Sequence, residues 1–238
     1  MKAPWPNFVD PRNTSTLTFD CYGTLVDWER GLVHAFRRLL GERAASTSDS
    51  ALIDAFLKID MELISGPFQP YSDILANAAR RVGSEYEVDV GRDDEAAFVR
   101  SVFSCPLFPE TLPALQRLSK RFRLAIISNI DNELLEGTLK LFNLDFSVVV
   151  TSEEARCYKP AEGIFKAALS RLGEIPNRVV HIAEGLCEAA PARRLGMGSV
   201  WVRRSERSDD GSGARPDLTV QNLTAFVDIV ERAEAEAT

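Results

Sequence analysis

The rhythm of apolar and polar positions changes near residue 105. Before it, apolar residues recur at helical spacing. Leu32, Val33, Phe36, Leu39 and Leu40 form one stripe, and Leu52, Ile53, Phe56, Leu57, Leu63 and Ile64 form another. Two further helices are expected over 71–82 and 94–103. After Cys105-Pro106, short unbroken apolar runs take over at 124–127, 146–150, 179–182 and 199–202. Runs of this length suit strands buried on both faces of a parallel sheet. Helical patterns lie between them, at 132–141, 161–172 and near 188–195. A last amphipathic helix is expected over 221–235. Thr16-Leu17-Thr18-Phe19 is one more strand, set ahead of the helical block. Residues 1–14 and 204–216 carry Pro, Asn or Gly and read as irregular.

Strands alternating with helices predict an α/β chain with a Rossmann-like parallel sheet. The helical block interrupts it after the first strand. Residues 1–27 and 106–238 are therefore expected to form an α/β core, and 28–105 an inserted helical cap domain.

Composition narrows the function classes. The net charge of −7 argues against the basic face that nucleic acid requires. A local cationic pocket for a small anion remains compatible with it. The four cysteines, Cys21, Cys105, Cys157 and Cys187, have neither zinc-knuckle nor redox-pair spacing. They read as reduced, in a cytoplasmic compartment. Neither a signal-peptide pattern nor a membrane-length apolar run is visible. The expected partner is a small anionic molecule, with no nucleic acid and no membrane; a homodimer is left open.

Ligands of open parallel sheets bind beyond the carboxyl ends of the strands. The first strand is followed there by Asp20-Cys21-Tyr22-Gly23-Thr24, the second ends in Ser128-Asn129, Lys159 comes soon after the third, and Ala183-Glu184-Gly185 closes the fourth. A carboxylate can attack carbon or phosphorus and form an ester that water then hydrolyses. It needs a cation beside it, and Lys159 is the candidate. Thr24 and Ser128 can donate hydrogen bonds to substrate oxygens. Each residue alone has a plainer role: Asp20 in a turn, Ser128-Asn129 as a helix cap, Glu188 favouring a helix N-terminus, His181 packed and hydrogen-bonded in its strand.

Taken together, these residues resemble the haloacid dehalogenase (HAD) superfamily. Phe19-Asp20-Cys21-Tyr22-Gly23-Thr24-Leu25 is similar to its first motif, Ser128-Asn129 to its second and Lys159-Pro160 to its third, with 181–196 where its fourth belongs. The resemblance implies a HAD fold and a hydrolase with Asp20 as nucleophile, supported by Lys159, Ser128, Asn129 and Thr24. Tyr22 and Trp28 would touch the substrate. Phosphatases of the superfamily place an acid two residues after the nucleophile; here that residue is Tyr22, as in type II 2-haloacid dehalogenases, which need no cofactor. The implied reaction is hydrolytic dehalogenation of a small 2-haloacid. The fourth motif departs from the dehalogenase pattern at Ala183, Gly185 and Glu188, and Phe165 stands where a tyrosine is usual. No cap arginine is clearly matched; Arg37, Arg38 and Lys58 are candidates. Glu184 occupies a phosphatase position, so the alternative is a phosphatase with Mg²⁺ held by Asp20 and Glu184. A catalytically eroded member is the third reading.

Overall fold

The structure, a computed structural model, describes residues 13–204 and 209–237. Most of the expected leader and part of the expected 204–216 loop lie outside these residues. No helix among them is long and apolar enough to cross a membrane.

The chain divides into two compact units. One holds the residues up to Val26, Leu107–Ser128 and Phe142 onward; the other holds Asp27–Pro106 and Asn129–Leu141.

The first unit is built on a six-stranded sheet in the order β3-β2-β1-β4-β5-β6. Its strands are β1 (Thr16–Phe19), β2 (Arg123–Ser128), β3 (Val148–Thr151), β4 (Val179–Ala183), β5 (Gly198–Val202) and β6 (Leu218–Val220). Every adjacent pair is parallel. This is the Rossmann-like α/β architecture the alternation predicts. β6 is an addition, because three residues amid polar and Pro-containing sequence leave no apolar run to notice. β3 begins at Val148 instead of residue 146. Phe146 packs edge-on against Phe142 at 5.4 Å, and Ser147 donates from both its N–H and its hydroxyl to the Leu124 carbonyl.

Burial on both faces explains the unbroken apolar runs. Registered neighbours in parallel strands share a face. Leu17, Phe19, Leu124, Ile126, Val180 and Ile182 line one face, and all are buried. Ala125, Ile127, Val150 and Val179 line the other, against Ile164, Phe165, Ala168 and Ala192.

Ten α-helices occur among the described residues. In the helical unit are α1 (Trp28–Leu40), α2 (Asp49–Ile64), α3 (Tyr71–Glu85), α4 (Arg92–Arg100) and α6 (Asn132–Leu139). The sheet unit carries α5 (Thr111–Leu118), α7 (Ser152–Ala155), α8 (Glu162–Leu172), α9 (Ala189–Arg194) and α10 (Leu223–Ala237). α5 has no counterpart in the sequence reading.

In the helical unit the periodic stripes are buried where expected: Leu32, Phe36 and Leu40 on α1, Leu52, Ile53 and Phe56 on α2. Val33, Leu39, Leu63 and Ile64 are half-buried. Asp131 tethers α6 to α3 by accepting from the N–H groups of Tyr71 and Ser72 at 2.7 and 2.8 Å. Those N–H groups have no intrahelical acceptor.

Close approach decides one helical glycine. A Cβ on Gly31 would lie 2.2 Å from Cys105 Sγ and 3.1 Å from Cys105 Cα. Gly→Ala inside a helix normally stabilises by up to about 1 kcal/mol. Here overpacking reverses the sign, and Gly31→Ala is expected to lower unfolding free energy by about 1–3 kcal/mol. Urea denaturation measures it; a variant as stable as the parent would contradict the contact.

Candidate active site

Asp20 follows β1, and strand alternation turns it to the same face as Thr18. The chain then folds back tightly. Gly23 takes φ +100°, which favours glycine, and its N–H donates to the Val26 carbonyl. The Leu25 and Val26 N–H groups donate to the Cys21 carbonyl. This turn returns Thr24 to Asp20, four residues earlier. The Thr24 hydroxyl donates to Asp20 Oδ2 at 2.8 Å while accepting from the Glu184 N–H at 2.8 Å. Its rotor is fixed from both sides.

Lys159 lies just before α8. Its Nζ donates to Asp20 Oδ1 at 2.6 Å, to the Ile127 carbonyl at 2.9 Å, and pairs with Glu188 Oε2 at 2.8 Å. Asp20, Lys159 and Glu188 are 6%, 4% and 6% exposed. Glu188 Oε2 also meets His181 Nε2 at 2.9 Å, and His181 Nδ1 meets the Thr18 hydroxyl at 3.0 Å. A buried chain of polar groups thus runs Thr18–His181–Glu188–Lys159–Asp20–Thr24.

One ammonium serves two carboxylates, so the charges are unevenly balanced. Burial, reinforced by the negative charge of Glu188, raises the Asp20 pKa despite Lys159 and Thr24. Burial also opposes ionisation of Glu188, but Lys159 and the His181 hydrogen bond outweigh it and lower its pKa. Burial disfavours the Lys159 charge, yet Asp20 and Glu188 together hold its pKa above the ordinary lysine value.

Ser128, the last residue of β2, is buried, and its Oγ has no hydrogen-bond partner among the described residues. A buried donor left unpaired costs about 1–3 kcal/mol, which a ligand oxygen would recover. Tyr22 is half-buried and bridges to Val26.

Two of the expected site residues fall in the helical unit. Asn129 follows Ser128 but groups with α6, and Trp28 begins α1 and packs on Phe56 at 5.8 Å between ring centres. Of the candidate cations there, Arg37 is engaged by the Ala44 and Thr47 carbonyls and by Asp49, while Arg38 and Lys58 are exposed.

Asp20 and Glu184 were the candidate magnesium ligands. Both Asp20 oxygens hold donors, and the Glu184 main chain ties it to its neighbours: its N–H donates to Thr24 and its carbonyl accepts from Trp201 Nε1 at 2.9 Å. Among the described residues no three His, Cys, Asp or Glu side chains gather as a metal-holding group. Asp20 is thus a buried carboxylate neutralised by an ammonium.

Sequence reasoning left His181 in a plain structural role, set Glu188 at the fourth-motif acid without placing it beside Lys159, and missed Arg204. Arg204 donates to the Gly23 carbonyl at 3.0 Å and to the Thr24 carbonyl, pairs with Glu110 at 2.7 Å, and stacks 3.6 Å above the Phe108 ring. It clamps the turn that carries Thr24. No local signal marks Arg204, because its partners are about 95 to 180 residues away in sequence.

A parallel sheet carrying a buried carboxylate beyond its first strand and a lysine beyond its third defines the class. A family model for haloacid dehalogenase-like hydrolases matches residues 14–196, and the chain belongs to that family. It is similar to (S)-2-haloacid dehalogenase 2 of Pseudomonas sp. (strain CBS-3), at 22% identity over 227 residues, 92% of this chain and 97% of that one. It is also similar to the phosphoserine phosphatase of Thermus thermophilus, at 30% over 165 residues, 67% of this chain and 64% of that one. Among solved structures, the L-2-haloacid dehalogenase of Xanthobacter autotrophicus with chloropropionic acid covalently bound superposes with a TM-score of 0.77. Its identity is 18%, covering 92% of this chain and 98% of that one, a likeness of fold.

Proposed function

We propose that this hydrolase cleaves the carbon–halogen bond of a small 2-haloacid, with Asp20 as nucleophile. The observation that carries the reading is the buried Asp20 carboxylate held between the Lys159 ammonium and the Thr24 hydroxyl, with Tyr22 where a proton-donating acid would otherwise stand. A halide leaves without a proton, so displacement at carbon does not need that acid.

In the first step an Asp20 oxygen bonds to the halogen-bearing carbon, and the halide departs with the bonding electron pair. The product is an ester on Asp20. In the second step water attacks the ester carbonyl carbon and gives a proton to Glu188. The tetrahedral species collapses, the ester C–O bond breaks, and the departing alkoxide takes that proton back. The new Asp20 carboxylic acid loses its proton to solvent. The sum is haloacid plus water giving hydroxy acid, halide and a proton. Lys159 balances the carboxylates through both steps, and the Ser128 hydroxyl is free to donate to the substrate carboxylate.

The phosphatase reading draws on the Thermus relative and on Glu184, but it lacks an acid at Tyr22. A paired screen separates the two. Halide release from 2-chloropropionate, 2-bromopropionate and fluoroacetate is measured beside phosphate release from p-nitrophenyl phosphate, each with and without Mg²⁺. The expected result is halide from at least one acid, indifferent to Mg²⁺. Phosphate released only with Mg²⁺, or no halide from any acid, would overturn the proposal.

A further inference from the structure

We propose that His181 is a positioning residue for Glu188, and that Gly185 supplies the room this longer acid needs. The inference rests on the function proposed above, in which Glu188 takes the proton of the hydrolytic water.

His181 is 1% exposed, sits in β4 beside Thr18 of β1, and packs its ring edge-on against Phe165 at 5.1 Å. An ionised carboxylate only accepts hydrogen bonds, so the Nε2 facing Glu188 carries the hydrogen. Nδ1 meets the Thr18 hydroxyl at 3.0 Å, and that hydroxyl also reaches the Val180 carbonyl at 3.4 Å. The backbone, Thr18 and Phe165 thus fix the imidazole, and it in turn fixes Glu188.

Both polar contacts of Glu188, with Lys159 and His181, fall on Oε2. Oε1 lies against Gly185, where a Cβ would stand 2.9 Å away. Glutamate at 188, histidine at 181 and glycine at 185 therefore interlock. The departures that looked like erosion in sequence form one compensated arrangement that leaves Oε1 to take the water's proton. Through this set the acid is held at Oε2 by Lys159 and His181, and Oε1 takes no part in either contact.

The charged and titratable groups facing Glu188 are Lys159 ahead of α8, Asp20 after β1, His181 in β4 and the adjacent Cys187, whose thiol burial pushes up. Lys159 and the His181 N–H stabilise the ionised Glu188, and Asp20 opposes it.

The test separates ester formation from ester hydrolysis by rapid-mix kinetics on a haloacid substrate. His181→Phe keeps the ring and removes the donor. It is expected to retain the halide burst, to slow hydrolysis roughly tenfold or more, and to shift the acid limb of hydrolysis to higher pH. His181→Gln, which restores an N–H near Nε2, is expected to recover most of that loss. Gly185→Ala should slow the same step, and less so when combined with Glu188→Asp. A second readout needs no turnover. The chain has two histidines, so a slowly exchanging imidazole N–H resonance can be assigned by its loss in His181→Gln. Glu188→Gln should move it upfield as the bond loses its charge assistance. Unchanged hydrolysis and acid limb in His181→Phe, or an N–H resonance indifferent to Glu188, would overturn the inference. If the parent gives no halide burst on any haloacid, the functional reading fails instead, and the resonance alone decides the contact.

Discussion

Asp20→Asn is expected to abolish turnover, by roughly 10³-fold or more, while leaving the protein at least as stable as the parent. The amide oxygen can still accept from Lys159, while the NH2 takes the place of the oxygen that accepted from Thr24, so that one hydrogen bond is given up. The variant also loses the charge. Asp20 has a raised pKa in the folded chain, from burial first and then from Glu188. For such an acid the native state binds more protons than the unfolded state between the two pKa values. Stability therefore falls as pH rises through that interval, and the full cost is present above it. Removing the carboxylate removes the cost. The expected pair of results is lost halide release and an unfolding midpoint at neutral pH equal to or above the parent's. Mass spectrometry of the Asp20 peptide, with enzyme in excess over haloacid, should show the ester in the parent and none in the variant. A variant that keeps its turnover would remove Asp20 as nucleophile.

Lys159→Met is expected to be the most damaging single substitution to stability. It leaves Asp20 and Glu188, both buried, without the ammonium they share at 2.6 and 2.8 Å. Removing one partner of a buried ion pair costs about 3–5 kcal/mol. The sign of its pH dependence follows from the same linkage. Without Lys159 both carboxyl groups lose the cation that favours their ionised forms, so their folded pKa values rise. The variant is then penalised most at neutral pH and recovers as acid neutralises them. Urea denaturation at pH 7 and pH 5 checks this; a deficit that grows on acidification would refute the shared-cation account. Activity should vanish as well, since the cluster would no longer hold an ionised nucleophile beside a balancing charge.

The contrast between Lys159 and Glu188 shows how far the residues could be read before the fold was known. Lys159 was legible because Lys-Pro sits shortly after a strand in a sheet whose ends gather ligands. Glu188 was read both as a lengthened fourth-motif acid and as a helix-favouring one, because the contact that holds it comes from a histidine seven residues earlier, in β4. Gly185 looked like a loss for a related reason. A motif position lists a residue type, whereas the room beside Gly185 is a distance: a Cβ there would stand 2.9 Å from Glu188 Oε1. Arg204 was invisible, since a solvated loop arginine and one clamped over Phe108 have the same local sequence. Strand edges moved by a residue or two where side-chain bonds, as at Ser147, replaced the ladder.

By itself the sequence determined the periodicities, hence the α/β class, the helical block after the first strand and the strand ends where polar chemistry collects. Those are local properties, set by which positions must avoid water and which residues turn a chain. Only the tertiary structure decided that β1 lies between β2 and β4, which sets Thr18 beside His181 and brings Lys159 to Asp20. Contacts between residues more than a hundred positions apart depend on how strands pair and in what register, and no local pattern in one chain encodes that choice.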